Sequence, residues 1–174
     1  MKQTLYEAIG GLPTLEKVHK IFYDKVYAHS WLGQFFQGHD QKVIELRQTQ
    51  FMGEKFGGDI RYPGMDLELV HRRMYIPLEL FALRRNLLRE SLQEAGVAEE
   101  HIRRWLKIDS AFHRQIIKKS LKAFEAIDLK YERPMVIPDP DQVTPGEKAP
   151  DTTYPGEDRS RRDEGPFRQH RPRD

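Results

Sequence analysis

The sequence predicts an all-α domain followed by a separate C-terminal tail, and three observations predict it. Apolar residues recur at helical spacing through most of residues 1–133. No stretch alternates apolar and polar residues as a half-buried strand would. Eight of the eleven prolines fall in residues 134–174, where they forbid a helix and disfavour a central strand.

The first long helix is PTLEKVHKIFYDKVY, with Leu15, Val18, Ile21, Phe22 and Val26 on one face and Pro13 or Thr14 to start it. DQKVIELRQTQFMGEKF follows, capped by Asp40 and stopped at Gly57-Gly58. MDLELVHRRMYI is a short helical stretch ended by Pro77, which suits the first turn of the next helix. That helix, PLELFALRRNLLRESLQEAG, is amphipathic and closed by Gly96. The last is predicted to run unbroken through AEEHIRRWLKIDSAFHRQIIKKSLKAFEAI. Its stripe is Ile102, Trp105, Leu106, Ile108, Phe112, Ile116 and Ile117.

Composition narrows the functional classes. With no cysteine among 174 residues, neither a disulfide framework nor a thiolate metal site is available. No apolar run reaches the roughly twenty residues of a membrane span, and MKQTLYEAIGG lacks the apolar stretch of a signal peptide. A net charge of +2 is too mild to indicate nucleic acid. A soluble, cytoplasmic protein is expected, with neither membrane nor nucleic acid as partner. In residues 134–174, seven Lys/Arg face nine Asp/Glu and large apolar residues are few. That segment is expected to be a disordered tail, dispensable to the body. RSRRDEGPFRQHRPRD is its part best suited to touch a partner.

Two residues raise a question of chemistry. Gln48 lies on or near the apolar side of its helix, and His71 follows the apolar LELV. On the stretch alone, His71 reads as a satisfied core or surface histidine and Gln48 as a solvated one. The order of several short pieces changes that reading: LYEAIGG, FYDKV, LGQFFQG, Gln48 and Phe51 on one helix, FGG, YPG, then His71 followed by Ile76. In this order and spacing, from about Thr4 to Lys119, the chain resembles the truncated haemoglobins, and group I of that family most closely.

The resemblance implies a two-over-two helical sandwich around haem (iron protoporphyrin IX). It places His71 as the proximal ligand of the iron: a neutral imidazole is a good axial ligand and leaves the opposite face open. It places Tyr23 and Gln48 over that open face, as hydrogen-bond donors to a bound ligand carrying partial negative charge. Gln48 could also hold the Tyr23 hydroxyl. Phe36 would pack on the porphyrin and Arg47 would reach a propionate. Ile44 stands where many globins have a distal histidine. Phe51, Met52, Tyr62, Val70, Ile76 and Phe81 complete the cofactor-binding wall. Arg84 and Arg85 depart from the family's apolar face, so one of them must point outward. His39 reads as a propionate neighbour or a solvent residue, and His113 lies one residue from a position that bonds haem covalently in some members.

The implied function is binding of dioxygen, nitric oxide and carbon monoxide at a five-coordinate ferrous iron, in oxygen binding or transport. Nitric oxide dioxygenase activity, with a reductase as partner, is the enzymatic form of that reading. The competing reading is a helical interaction module without haem.

Overall fold

The computed structural model describes residues 3–130 and 132–142. These form α1 (Leu5–Ala8), α2 (Leu12–Ala28), a 3-10 turn (Leu32–Phe36), α3 (Gln41–Lys55), α4 (Leu67–His71), α5 (Leu78–Glu94), α6 (Glu99–Ala111), α7 (His113–Ile116) and α8 (Leu121–Glu125). Among the described residues there is no strand, only an isolated parallel bridge between Met74 and Met135. Helix α2 packs on α3 and on α5, and α5 packs on α6, which gives the two-over-two sandwich.

Local chemistry sets most of the boundaries. Thr4 and Glu7 form a reciprocal capping box at α1, and the Asp40 carboxylate accepts from Val43 N–H at the start of α3. Helix α3 ends at Gly57, whose φ of 85° an L-residue rarely adopts. Gly33 is required for a different reason. A Cβ there would lie 2.7 Å from the Tyr27 carbonyl oxygen, so only glycine lets the 3-10 turn fold back on the end of α2.

Trp105 organises the centre of the core, fully buried with Phe56 against it edge-on at 4.7 Å between ring centroids. Phe22, Leu15, Leu88, Leu92 and Ile102 belong to the same buried cluster. Each such side chain contributes about 1.5–3 kcal/mol by leaving water.

Two expectations change. The last helix does not run unbroken: α6 ends at Ala111, and Ile117 is extended, with φ −73° and ψ 139°. The neighbouring Lys118 N–H donates instead to Ile76 O at 2.9 Å. Tertiary pairing outweighs helix propensity there, and Phe112 and Ile116 turn toward a cavity rather than continuing a stripe. The body also does not stop at Arg133. Met135 and Ile137 are partly buried against the core, and the Trp31 indole N–H donates to Ile137 O at 2.9 Å. Residues 134–142 thus pack on the body, and a chain cut after Arg133 loses these contacts. Residues 143–174, which include RSRRDEGPFRQHRPRD, lie outside the described residues.

Candidate functional site

One cavity collects Tyr23, Phe36, Ile44, Arg47, Gln48, Phe51, Met52, Tyr62, Val70, His71, Ile76 and Phe81. They arrive from α2, the 3-10 turn, α3, the loop before α4, α4 itself, the segment after it and α5. Aromatic rings brace the wall. Phe36 lies 5.8 Å from Tyr23 and 5.4 Å from Tyr27, and Phe51 lies 5.2 Å from both Tyr62 and Phe112. The loop carrying Tyr62 is held by its own backbone N–H, which donates to Glu54 at 2.7 Å.

His71 closes α4. Its Nδ1 lies 2.8 Å from Leu67 O; a carbonyl can only accept, so Nδ1 carries the proton and Nε2 keeps its lone pair. Among the described residues Nε2 has no hydrogen-bond partner, and His71 lines the cavity. Burial lowers its pKa to about 4, so the ring is neutral at physiological pH.

Tyr23 is buried, and its hydroxyl makes no hydrogen bond among the described residues. Burial raises its pKa, which keeps the phenol protonated and a donor. Gln48 is half-buried at the same cavity. The two do not bond to each other, so the anticipated anchoring of Tyr23 by Gln48 is not formed in this structure; both donors remain available to a ligand. The Arg47 guanidinium donates to Gln50 at 3.2 Å and lies along the cavity wall. His39 lines the cavity as well. His113 does not; it is exposed, with Nδ1 2.7 Å from Ser110 O.

The structure adds a charge pair that the sequence reading left open. Arg84 faces inward and Arg85 is exposed. Arg84 binds Asp109 through two hydrogen bonds of 2.9 and 3.0 Å, with Phe22 and Phe81 facing its guanidinium at 5.4 and 5.9 Å. A signal for this existed. Ile102, Trp105, Leu106 and Asp109 share one helical face, and an acid on an apolar stripe calls for a buried partner.

His19 was also missed, although it lies between Leu15, Val18 and Phe22 on the buried face of α2. Its Nδ1 is 2.8 Å from Thr49 Oγ1, and burial, aided by Arg84, lowers its pKa to about 3. The unfolded chain therefore binds a proton near pH 6.5 that the folded chain refuses. Stability is complete above pH 6.5 and falls as pH drops toward 3, by up to about 1.4 kcal/mol per pH unit from this group. His19→Gln should shallow the decline in thermal midpoint between pH 7 and pH 5. An unchanged decline would assign the acid sensitivity to other groups.

The donor set bears on what the cavity holds. Among the described residues no group of three or more His, Cys, Asp or Glu could grip a bare metal ion. A neutral imidazole, His71, with its Nδ1 already bonded and its Nε2 lone pair free among the described residues, at a cavity walled largely by aromatic and aliphatic side chains, suits instead a flat macrocycle that brings its own nitrogen ligands. The residues present fit haem.

A two-over-two helical sandwich with the His71 imidazole at such a cavity defines a haem-binding globin. The family profile described as Bacterial-like globin matches residues 4–125, and the chain belongs to that family. It is 32% identical over 99 residues to the group 1 truncated hemoglobin GlbN of Mycolicibacterium paratuberculosis, covering 57% of this chain and 73% of that protein. It is 29% identical over 118 residues to a group 1 truncated hemoglobin of Tetrahymena pyriformis, covering 67% and 97%. The crystal structure of the Tetrahymena pyriformis truncated hemoglobin in its Fe(III) form superposes with a TM-score of 0.63 at 27% identity, over 67% of this chain and all of that one. The cofactor of the family is haem. No helix among the described residues is long and apolar enough to cross a membrane.

Proposed function

We propose that His71 is the protein ligand to haem iron and that Tyr23 and Gln48 stabilise a diatomic gas on the opposite face. The observation that carries this reading is the state of His71: neutral, its Nδ1–H tied to Leu67 O, and Nε2 without a hydrogen-bond partner among the described residues. Haem iron held by one imidazole supplies reversible binding of dioxygen, nitric oxide and carbon monoxide. The chain supplies the rest. Phe36, Ile44, Phe51, Met52, Val70, Ile76 and Phe81 keep water away from the metal, and Tyr62 completes the wall. Arg47 is placed to meet a propionate. The Tyr23 O–H and the Gln48 amide donate to the partial negative charge that dioxygen acquires, and carbon monoxide acquires less of it.

Tyr23→Phe is the test. Losing one net hydrogen bond of about 1.4 kcal/mol corresponds to roughly tenfold faster dioxygen release, with a smaller effect on carbon monoxide. Gln48→Leu should act in the same direction. Because the two donors share one partner, the bound dioxygen, the double substitution should depart from additivity. Stopped-flow dissociation rates for the four proteins decide it, and an unchanged dioxygen off-rate in Tyr23→Phe would reduce Tyr23 to packing. Oxidation of nitric oxide to nitrate, with a reductase restoring ferrous iron, is the enzymatic form of the same proposal. It would appear as rapid decay of the dioxygen-loaded protein on mixing with nitric oxide, repeated when a reductase is present.

A further inference from the structure

We propose that residues 133–137 form a strap that positions the His71-bearing turn and so governs how firmly haem is held; this rests on the reading of His71 as the iron ligand. Helix α4 has five residues, and a helix that short has little stability of its own. Its position must come from tertiary ties, and these converge on residues 71–76.

The Met135 N–H donates to Arg73 O at 2.6 Å, and the Tyr75 N–H donates to Met135 O at 2.8 Å. Together they make the parallel bridge that brackets Met74, a buried residue of the cavity wall. Arg73 Nη1 adds a bond to Arg133 O at 3.4 Å. Two further ties come from elsewhere in the C-terminal chain. Lys118 N–H donates to Ile76 O at 2.9 Å, and the Arg72 guanidinium donates to Asp128 O.

The strap is fastened at its far end. Trp31 is buried, and a buried indole requires a partner for its N–H; Ile137 O is that partner. Trp31 opens the 3-10 turn whose Leu32, Phe35 and Phe36 line the same cavity. One short segment therefore joins the turn after His71 to the aromatic wall. Pro134 and Pro138 favour extended conformations at Arg133 and Ile137, which lowers the entropy lost in laying the strap down.

The experiment uses the full chain loaded with haem. Met135→Pro removes the N–H given to Arg73, and Trp31→Phe removes the indole donor while keeping a ring. Leu92→Ala, fully buried on α5 and not part of the cavity wall, serves as a matched loss of general stability. Haem transfer to an excess of scavenging apoprotein and the iron–histidine stretching band of the ferrous protein are read for each. Met135→Pro should release haem about tenfold faster and shift or broaden the band, and Trp31→Phe about threefold with the same sense of change. Leu92→Ala should lower the thermal midpoint and leave the band in place. The strap proposal is overturned if both variants keep the original release rate and band, or if Leu92→Ala changes them equally. Should Met135→Pro fail to fold, Trp31→Phe alone decides. A chain that never binds haem would sink the haem reading itself, an outcome visible before any variant is made.

Discussion

Replacing His71 by Ala should strip the protein of haem. Removal of an outer partner of a metal ligand typically weakens metal affinity 10–100-fold, so removal of the ligand itself should cost more than about 100-fold. The remaining apolar walls would still attract porphyrin, and added imidazole should restore binding by entering the space the side chain leaves. Apoprotein stability should change little at neutral pH, because among the described residues the His71 side chain makes one hydrogen bond, to Leu67 O, and the backbone bonds at His71 O survive the substitution. Absorbance titration with haem, with and without imidazole, measures the effect. A His71→Ala protein with unchanged haem affinity and no response to imidazole would place the iron on another residue.

Breaking the Arg84–Asp109 pair is the second large effect. Asp109 has a side chain only 5% exposed, and Arg84→Met leaves its carboxylate with no counter-charge. An uncompensated buried charge costs about 3–5 kcal/mol, against a total stability of roughly 5–15 kcal/mol for a domain. For a body of this size the thermal midpoint should fall on the order of 10 °C. Arg84→Met combined with Asp109→Leu should recover most of that loss, because the desolvation cost then disappears with the charges. Calorimetry of the two singles and the double gives the coupling. An Arg84→Met midpoint within a degree or two of the original would mean that water reaches Asp109 freely.

What the sequence revealed, and what it did not, follows from the range of the interactions involved. Helices α2, α3 and α5 were legible because their cues are local: an Asp cap at position 40, glycines at 57 and 96, and apolar spacing at three and four residues. The cavity wall was legible because a run of short pieces resembles one family in order and spacing. The break after Ala111 was not, since Phe112 and Ile116 continue a helical pattern and only pairing of Lys118 with Ile76 diverts the chain. The strap was misread for a related reason. Prolines that exclude helix also favour the extended backbone that lets Met135 bridge to Met74, and nothing local in residues 134–142 names partners as far upstream as Met74 and Trp31. Arg84 was flagged as a departure, but its answer lay on another helix, at Asp109.

The central claim is that one neutral imidazole, His71, holds haem iron and leaves the opposite face open to a gas. The most direct measurement is the resonance Raman and absorption spectrum of the ferrous, ligand-free full chain, before and after carbon monoxide is added. The account predicts an intense Soret band, a five-coordinate iron with an iron–histidine stretching mode, and a clean shift on adding carbon monoxide. A chain that shows no Soret band, or a ferrous iron already six-coordinate through a second side chain and indifferent to carbon monoxide, would contradict it.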